Sequence, residues 1–127
     1  MLGELVEAMS DPHPVVRYWG ATGCLILQKE ALPAKTRLLA ALHDDWADVR
    51  IVAAEALGYL GEAKPGLKTL EAVLHEGNQY EVLAALNTLD FMHQAGHVPL
   101  ARVQAMVADL KLTEPANRIP EFLLGLE

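Results

Sequence analysis

Residues 2–94 repeat themselves, and this constrains the fold more than any other property of the chain. A displacement of 33 positions sets Leu5 on Leu38, Met9 on Leu42, Asp11 on Asp44, Val16 on Val49, Arg17 on Arg50, Ala21 on Ala54 and Leu27 on Leu60. A further displacement of 32 sets Leu42 on Leu74, His43 on His75, Asp44 on Glu76, Ala53 on Ala85, Leu57 on Leu89, Tyr59 on Phe91 and Leu60 on Met92. A unit of this length cannot bury its own apolar face, so copies in tandem are expected to stack and share one core.

Each unit reads as two helices. Apolar residues recur at i, i+3, i+4 and i+7 in Leu2, Leu5, Val6 and Met9, then in Leu38, Leu39 and Leu42, then in Leu67, Leu70 and Leu74. Short turns follow, S-D-P-H-P, H-D-D-W-A-D and H-E-G-N-Q, in which Asp and Pro favour a turn and then a helix start. The second helices are more apolar and carry small residues (Gly20, Ala21, Gly23, Ala53, Ala54, Ala85) that allow close approach. Glycine inside a helix costs about 1 kcal/mol relative to alanine, so Gly20 and Gly23 are expected to answer a packing need. The units span about 2–29, 34–61 and 66–94, a capping helix about 99–110 follows with Leu100, Val103, Val107 and Leu110 on its apolar side, and 111–127 is an arm. All of 1–127 reads as one all-α domain.

Composition narrows the function. A formal charge of −7 opposes general binding to nucleic acid or anionic membrane, which requires a basic surface. No apolar run reaches the ~20 residues that span a bilayer, and the acidic start M-L-G-E-L-V-E does not resemble a signal peptide. The chain reads as soluble, and because Leu2 already belongs to the first amphipathic pattern, a start inside a larger protein is compatible with it. A single cysteine excludes an intramolecular disulfide and leaves the compartment open.

The pattern D-x-x-x-x-V-R followed by small residues and A-L-G, best seen in D-D-W-A-D-V-R-I-V-A-A-E-A-L-G-Y-L at 44–60, resembles HEAT repeats, including the HEAT-like repeats of the phycobilin lyase group. The resemblance covers about 2–94 and implies a right-handed α-α superhelix, an α-solenoid of about three helix pairs plus the capping helix and arm. It also implies a structural role for Asp11, Arg17, Asp44 and Arg50, which in such stacks form hydrogen-bonded ladders between units. The third unit keeps Glu76 but has Val82 at the arginine position, so the ladder is expected to weaken there. Separately, D-P-H-P-V-V-R-Y-W-G-A-T-G at 11–23 looks like the helical region that follows the catalytic domain in some bacterial sulfatases.

No constellation points to chemistry. Cys24 is followed by L-I-L-Q rather than the motif converted to formylglycine in sulfatases, and no basic neighbour activates it, so it reads as a core residue. His93 and His97 have zinc-compatible spacing, but Gly96 and Pro99 end the helix and no third ligand is motif-spaced, so neither metal nor cofactor is expected. His43 and His75 read as helix C-terminal residues, the acids Asp44, Asp45, Glu55, Glu71 and Glu81 as solvated surface, and Trp19 as an indole packed over the gap at Gly20. Trp46 falls in a turn, exposed as an interface residue or folded over the next unit.

The second helices instead align three rows: Tyr18, Thr22 and Ile26; Ile51, Glu55 and Tyr59; Leu83, Asn87 and Phe91. Residues at i, i+4 and i+8 on stacked helices form a continuous surface. That mixed surface is the candidate docking site, with part-core and solvent-face roles as the bland alternatives. The expected function is non-catalytic protein–protein interaction or scaffolding, as the C-terminal accessory region of a sulfatase-like hydrolase. The partner would be its own catalytic domain, another subunit or a second copy, and the parent protein would then be exported or periplasmic. A phycobilin-lyase-type HEAT protein assisting a covalent modification is the alternative, and a DNA-repair HEAT protein is disfavoured by the acidity.

Overall fold

A computed structural model describes residues 1–113, with side chains through Leu110. Among these residues the structure is helical without strands: α1 (Leu2–Ala8), α2 (Pro14–Leu27), a 3-10 segment (Gln28–Ala34), α3 (Lys35–Ala41), α4 (Ala47–Gly58), α5 (Ala63–Glu76), α6 (Gln79–Gln94) and α7 (Leu100–Thr113). The arm expected over 111–127 lies outside the described residues, apart from the last turn of α7.

Helices α1, α3 and α5 each pack on the helix that follows them, and α4 lies between α2 and α6 while also meeting α5. The local sequence explains each boundary. Pro14 occupies the first position of α2, where its fixed φ suits a helix start and its missing N–H removes no bond. Asn78 and Glu81 form a reciprocal capping box at the start of α6, each side chain accepting the other residue's backbone N–H at 2.9 Å. Helices α4 and α6 end alike. Gly61 and Gly96 adopt φ of +79° and +85°, and the next amides, Glu62 and His97, donate back to Leu57 and Met92 at 3.0 and 2.8 Å.

The glycines within α2 are contact points for α1. A Cβ on Gly20 would stand 2.9 Å from the Leu5 carbonyl oxygen, and one on Gly23 only 2.5 Å from Leu5 Cδ2. Ala53, Ala54, Ala56 and Ala85 are buried in the same way, and Gly66 of α5 lies against the Ala54 backbone. Small residues thus set the spacing of the helices, while Leu38, Leu57, Leu70, Leu74, Leu86 and Leu89 fill the space between them.

Three expectations are corrected. α5 begins at Ala63, so Pro65 sits in its first turn, where the ring displaces no intrahelical bond. In α7 the buried set is Val103, Met106, Val107 and Leu110, whereas Leu100, the first residue of the helix, is 41% exposed. Trp19 is 62% exposed and rests edge-on against Tyr18, ring centroids 5.7 Å apart. The gap at Gly20 is filled by Leu5, Ala8 and Met9 and leaves no room for an indole.

Candidate docking groove and the arginine turns

The two arginine turns are superimposable in their hydrogen bonding. Asp11 accepts the His13 amide at 2.8 Å and Asp44 the Trp46 amide at 2.9 Å, so each aspartate closes its own turn. Arg17 Nη1 donates to the carbonyls of Asp11 (3.0 Å) and Pro12 (3.1 Å), as Arg50 Nη1 does to Asp44 (2.6 Å) and Asp45 (3.2 Å). What differs is the other edge of the guanidinium. Arg17 places Nε and Nη2 on the two oxygens of Asp44 at 2.7 and 3.2 Å, a bidentate pair with the Asp44 side chain 7% exposed. Burial opposes ionisation of Asp44, but the Arg17 and Trp46 hydrogen bonds, with the charges of Arg17 and Arg37, outweigh it and hold the carboxyl below its ordinary range.

Arg50 makes no such pair among the described residues. Its free edge borders a cleft of about 840 Å³ lined by Lys68, Glu76 and Glu81 on the side of the third unit. Val82, at the third arginine position, is fully buried.

A second concavity crosses α2, α4 and α6. A groove of about 290 Å³ is lined by Tyr18, Thr22, Ile51, Glu55, Asn87 and Phe91, six of the nine row residues, together with Leu25, Asp48, Val52, Ala84 and Thr88. It runs obliquely to the rows, taking first and second positions on α2 and α4 and second and third on α6, as the inclination of packed helices requires. The remaining row residues lie elsewhere. Ile26 is 74% exposed beyond the groove, and Leu83 is half-buried against the core. α4 ends at Gly58, which leaves Tyr59 past the helix with its ring edge-on to His97 at 4.3 Å. Within the groove Ile51 is a core residue that only shows its edge, while Phe91 is 53% exposed.

Several acids expected to be solvated are paired or partly buried. Besides Asp44 and Glu81, Glu71 lies 3.8 Å from Arg102, and Glu55 is half-buried in the groove, where burial raises its pKa. The spacing that marks this carboxylate is Asp48, Ile51, Val52, Glu55, which is one face of α4 at i, i+3, i+4 and i+7; the residues were legible, but not their depth.

The histidines serve local structure. His93 Nδ1 is 3.0 Å from the Val98 carbonyl, and His75 Nε2 is 3.1 Å from Asp109. His97 packs against Gly58, burial lowers its pKa, and its Nδ1 has no hydrogen-bond partner among the described residues. Cys24 is fully buried, and burial pushes its thiol pKa up, away from reactivity. Among the described residues no three His, Cys, Asp or Glu side chains group to hold a metal, and no helix is long and apolar enough to cross a membrane. The chain matches no protein-family model and no curated protein.

Proposed function

We propose that this chain is a HEAT-like α-solenoid module, a right-handed stack of helix pairs with a capping helix, that binds a protein partner through the groove across its second helices. The observation that carries the reading is the convergence of Tyr18, Thr22, Glu55, Asn87 and Phe91, from three helices, on one open concavity beside the exposed Trp19. Serial packing of α2, α4 and α6 supports the solenoid. Aromatic anchors beside polar groups suit protein recognition, and a volume near the roughly 300 Å³ lower limit of small-ligand sites suits inserted side chains rather than a cofactor. The role is non-catalytic, and the resemblance of 11–23 to the region after sulfatase catalytic domains makes such a domain the first partner to test.

A photo-crosslinking amino acid at Asn87, compared with one at Lys64 on α5, provides the test. A discrete polypeptide adduct from position 87, lost when Tyr18 and Phe91 are both replaced by alanine in a chain with unchanged helicity, supports the reading. Equal labelling from both positions overturns it.

A further inference from the structure

Among the described residues the half-buried carboxylates are matched by partners, with one exception. Asp44 has Arg17, Glu62 lies 3.2 Å from Lys35, Glu71 faces Arg102 and Glu81 takes the Asn78 amide. Among the described residues Glu55 makes no hydrogen bond or ion pair, although it is half-buried in the lining of the groove. Removing a carboxylate from water without a compensating partner costs free energy, and that cost is offset when a cation is brought to it. The surroundings are arranged for such a cation. Asp48, two turns earlier on the same face of α4, adds a second negative charge to the lining, which includes no Lys, Arg or His. Tyr18 from α2 and Phe91 from α6 offer aromatic rings on either side of α4, surfaces against which an aliphatic stem packs and a cation is attracted.

We propose that the groove receives a lysine or arginine side chain of the partner polypeptide, its stem between Tyr18 and Phe91 and its charged head on Glu55, in the field of Asp48. The inference rests on the docking reading above and names the chemistry of the partner. Among the described residues no third His, Cys, Asp or Glu joins the two carboxylates, and the aromatic walls favour an organic cation with an apolar stem over a hydrated metal ion. A polypeptide source follows from the exposed Trp19, edge-on to Tyr18, and the exposed Phe91 on the opposite wall, which extend contact beyond the inserted side chain.

Selection of short random peptides displayed on phage against the whole chain tests this, followed by titration of the selected peptides in solution. Enrichment of one Lys or Arg beside apolar residues is expected. In titration, Glu55→Gln should weaken binding about tenfold or more, as expected for loss of a charge-assisted contact in a partly desolvated site. The peptide with its basic residue changed to Met should show the same loss with the unaltered chain, and no additional loss with Glu55→Gln. Because Glu55→Gln removes an uncompensated charge, the variant keeps its fold, which thermal unfolding verifies. Groove-binding peptides with no basic enrichment, or with affinity indifferent to Glu55→Gln, overturn the inference and leave the docking reading standing. Failure to obtain any peptide whose binding depends on Tyr18 and Phe91 overturns both.

Discussion

The junction between the first and second units and the junction between the second and third are made from the same turn, yet held differently. At the first, Arg17 spans to Asp44, and Arg37 reaches back to the Ser10 hydroxyl at 3.0 Å and to the Met9 carbonyl. α1 is short and has no fully buried residue, so the outer helix of the first unit offers little apolar surface to hold it. At the second, Arg50 meets no carboxylate among the described residues, and α4 instead closes on both α5 and α6, with Gly66 seated on Ala54 and Leu70, Leu74, Val82 and Leu86 buried. Among the described residues a polar rung joins the first two units, where α1 has no buried residue, and no such rung joins the second and third, where α4 is gripped by both α5 and α6.

Substitutions at Leu70, Asp44, Arg50 and Glu55 break or sharpen this contrast, and they are expected to differ in size. Leu70→Ala strikes the apolar junction and should cost about 2–5 kcal/mol in urea unfolding, since it leaves a cavity in a packed core. Asp44→Ala strikes the polar junction. It should cost about 1–3 kcal/mol and release the first unit selectively, with hydrogen exchange accelerating in 2–27 while 63–94 retains protection. The same rung has a pH signature. The folded pKa of Asp44 lies below the unfolded value, so its contribution is complete above about pH 3.9 and is lost as the pH falls through the lower folded value. Asp44→Asn should flatten that part of the acid-unfolding profile.

Arg50→Ala, at the equivalent turn, should cost only about 0.5–1 kcal/mol, the value of its turn bonds, because among the described residues no inter-unit pair is broken. An effect equal to that of Arg17→Ala would show that the two junctions are alike after all. Glu55→Gln should have the smallest effect and the opposite sign, a gain of about 0.5 kcal/mol at neutral pH after allowance for solvent screening. Burial raises the folded pKa of Glu55, so the penalty falls on the ionised form. The gain from the substitution should shrink as the pH falls through that raised value and vanish below about pH 4.3.

The helices were legible because their signals are local: i, i+3, i+4 spacing, Asp and Pro at the turns, Gly61 and Gly96 at the ends. The packing reason for Gly20 and Gly23 was legible too, since a mid-helix glycine carries a cost that only a close neighbour explains. The depth of the acids was not legible. Asp44, Glu55 and Glu81 look alike as letters, and their different fates depend on which helix lies opposite. Trp19 failed for the same reason, because the gap at Gly20 faces α1 whereas the indole, about 100° around α2, is exposed to solvent.

By itself, then, the sequence determined an all-helical chain made of repeating pairs, with Asp11, Arg17, Asp44 and Arg50 at equivalent turns. Only the tertiary structure decided that Arg17 reaches the next unit's Asp44 while Arg50 pairs with no carboxylate among the described residues, and that Tyr18, Glu55 and Phe91 share one groove while Ile26 and Tyr59 stand outside it. Periodicity places a residue on a face of its own helix, but the inclination and spacing of neighbouring helices determine what that face meets.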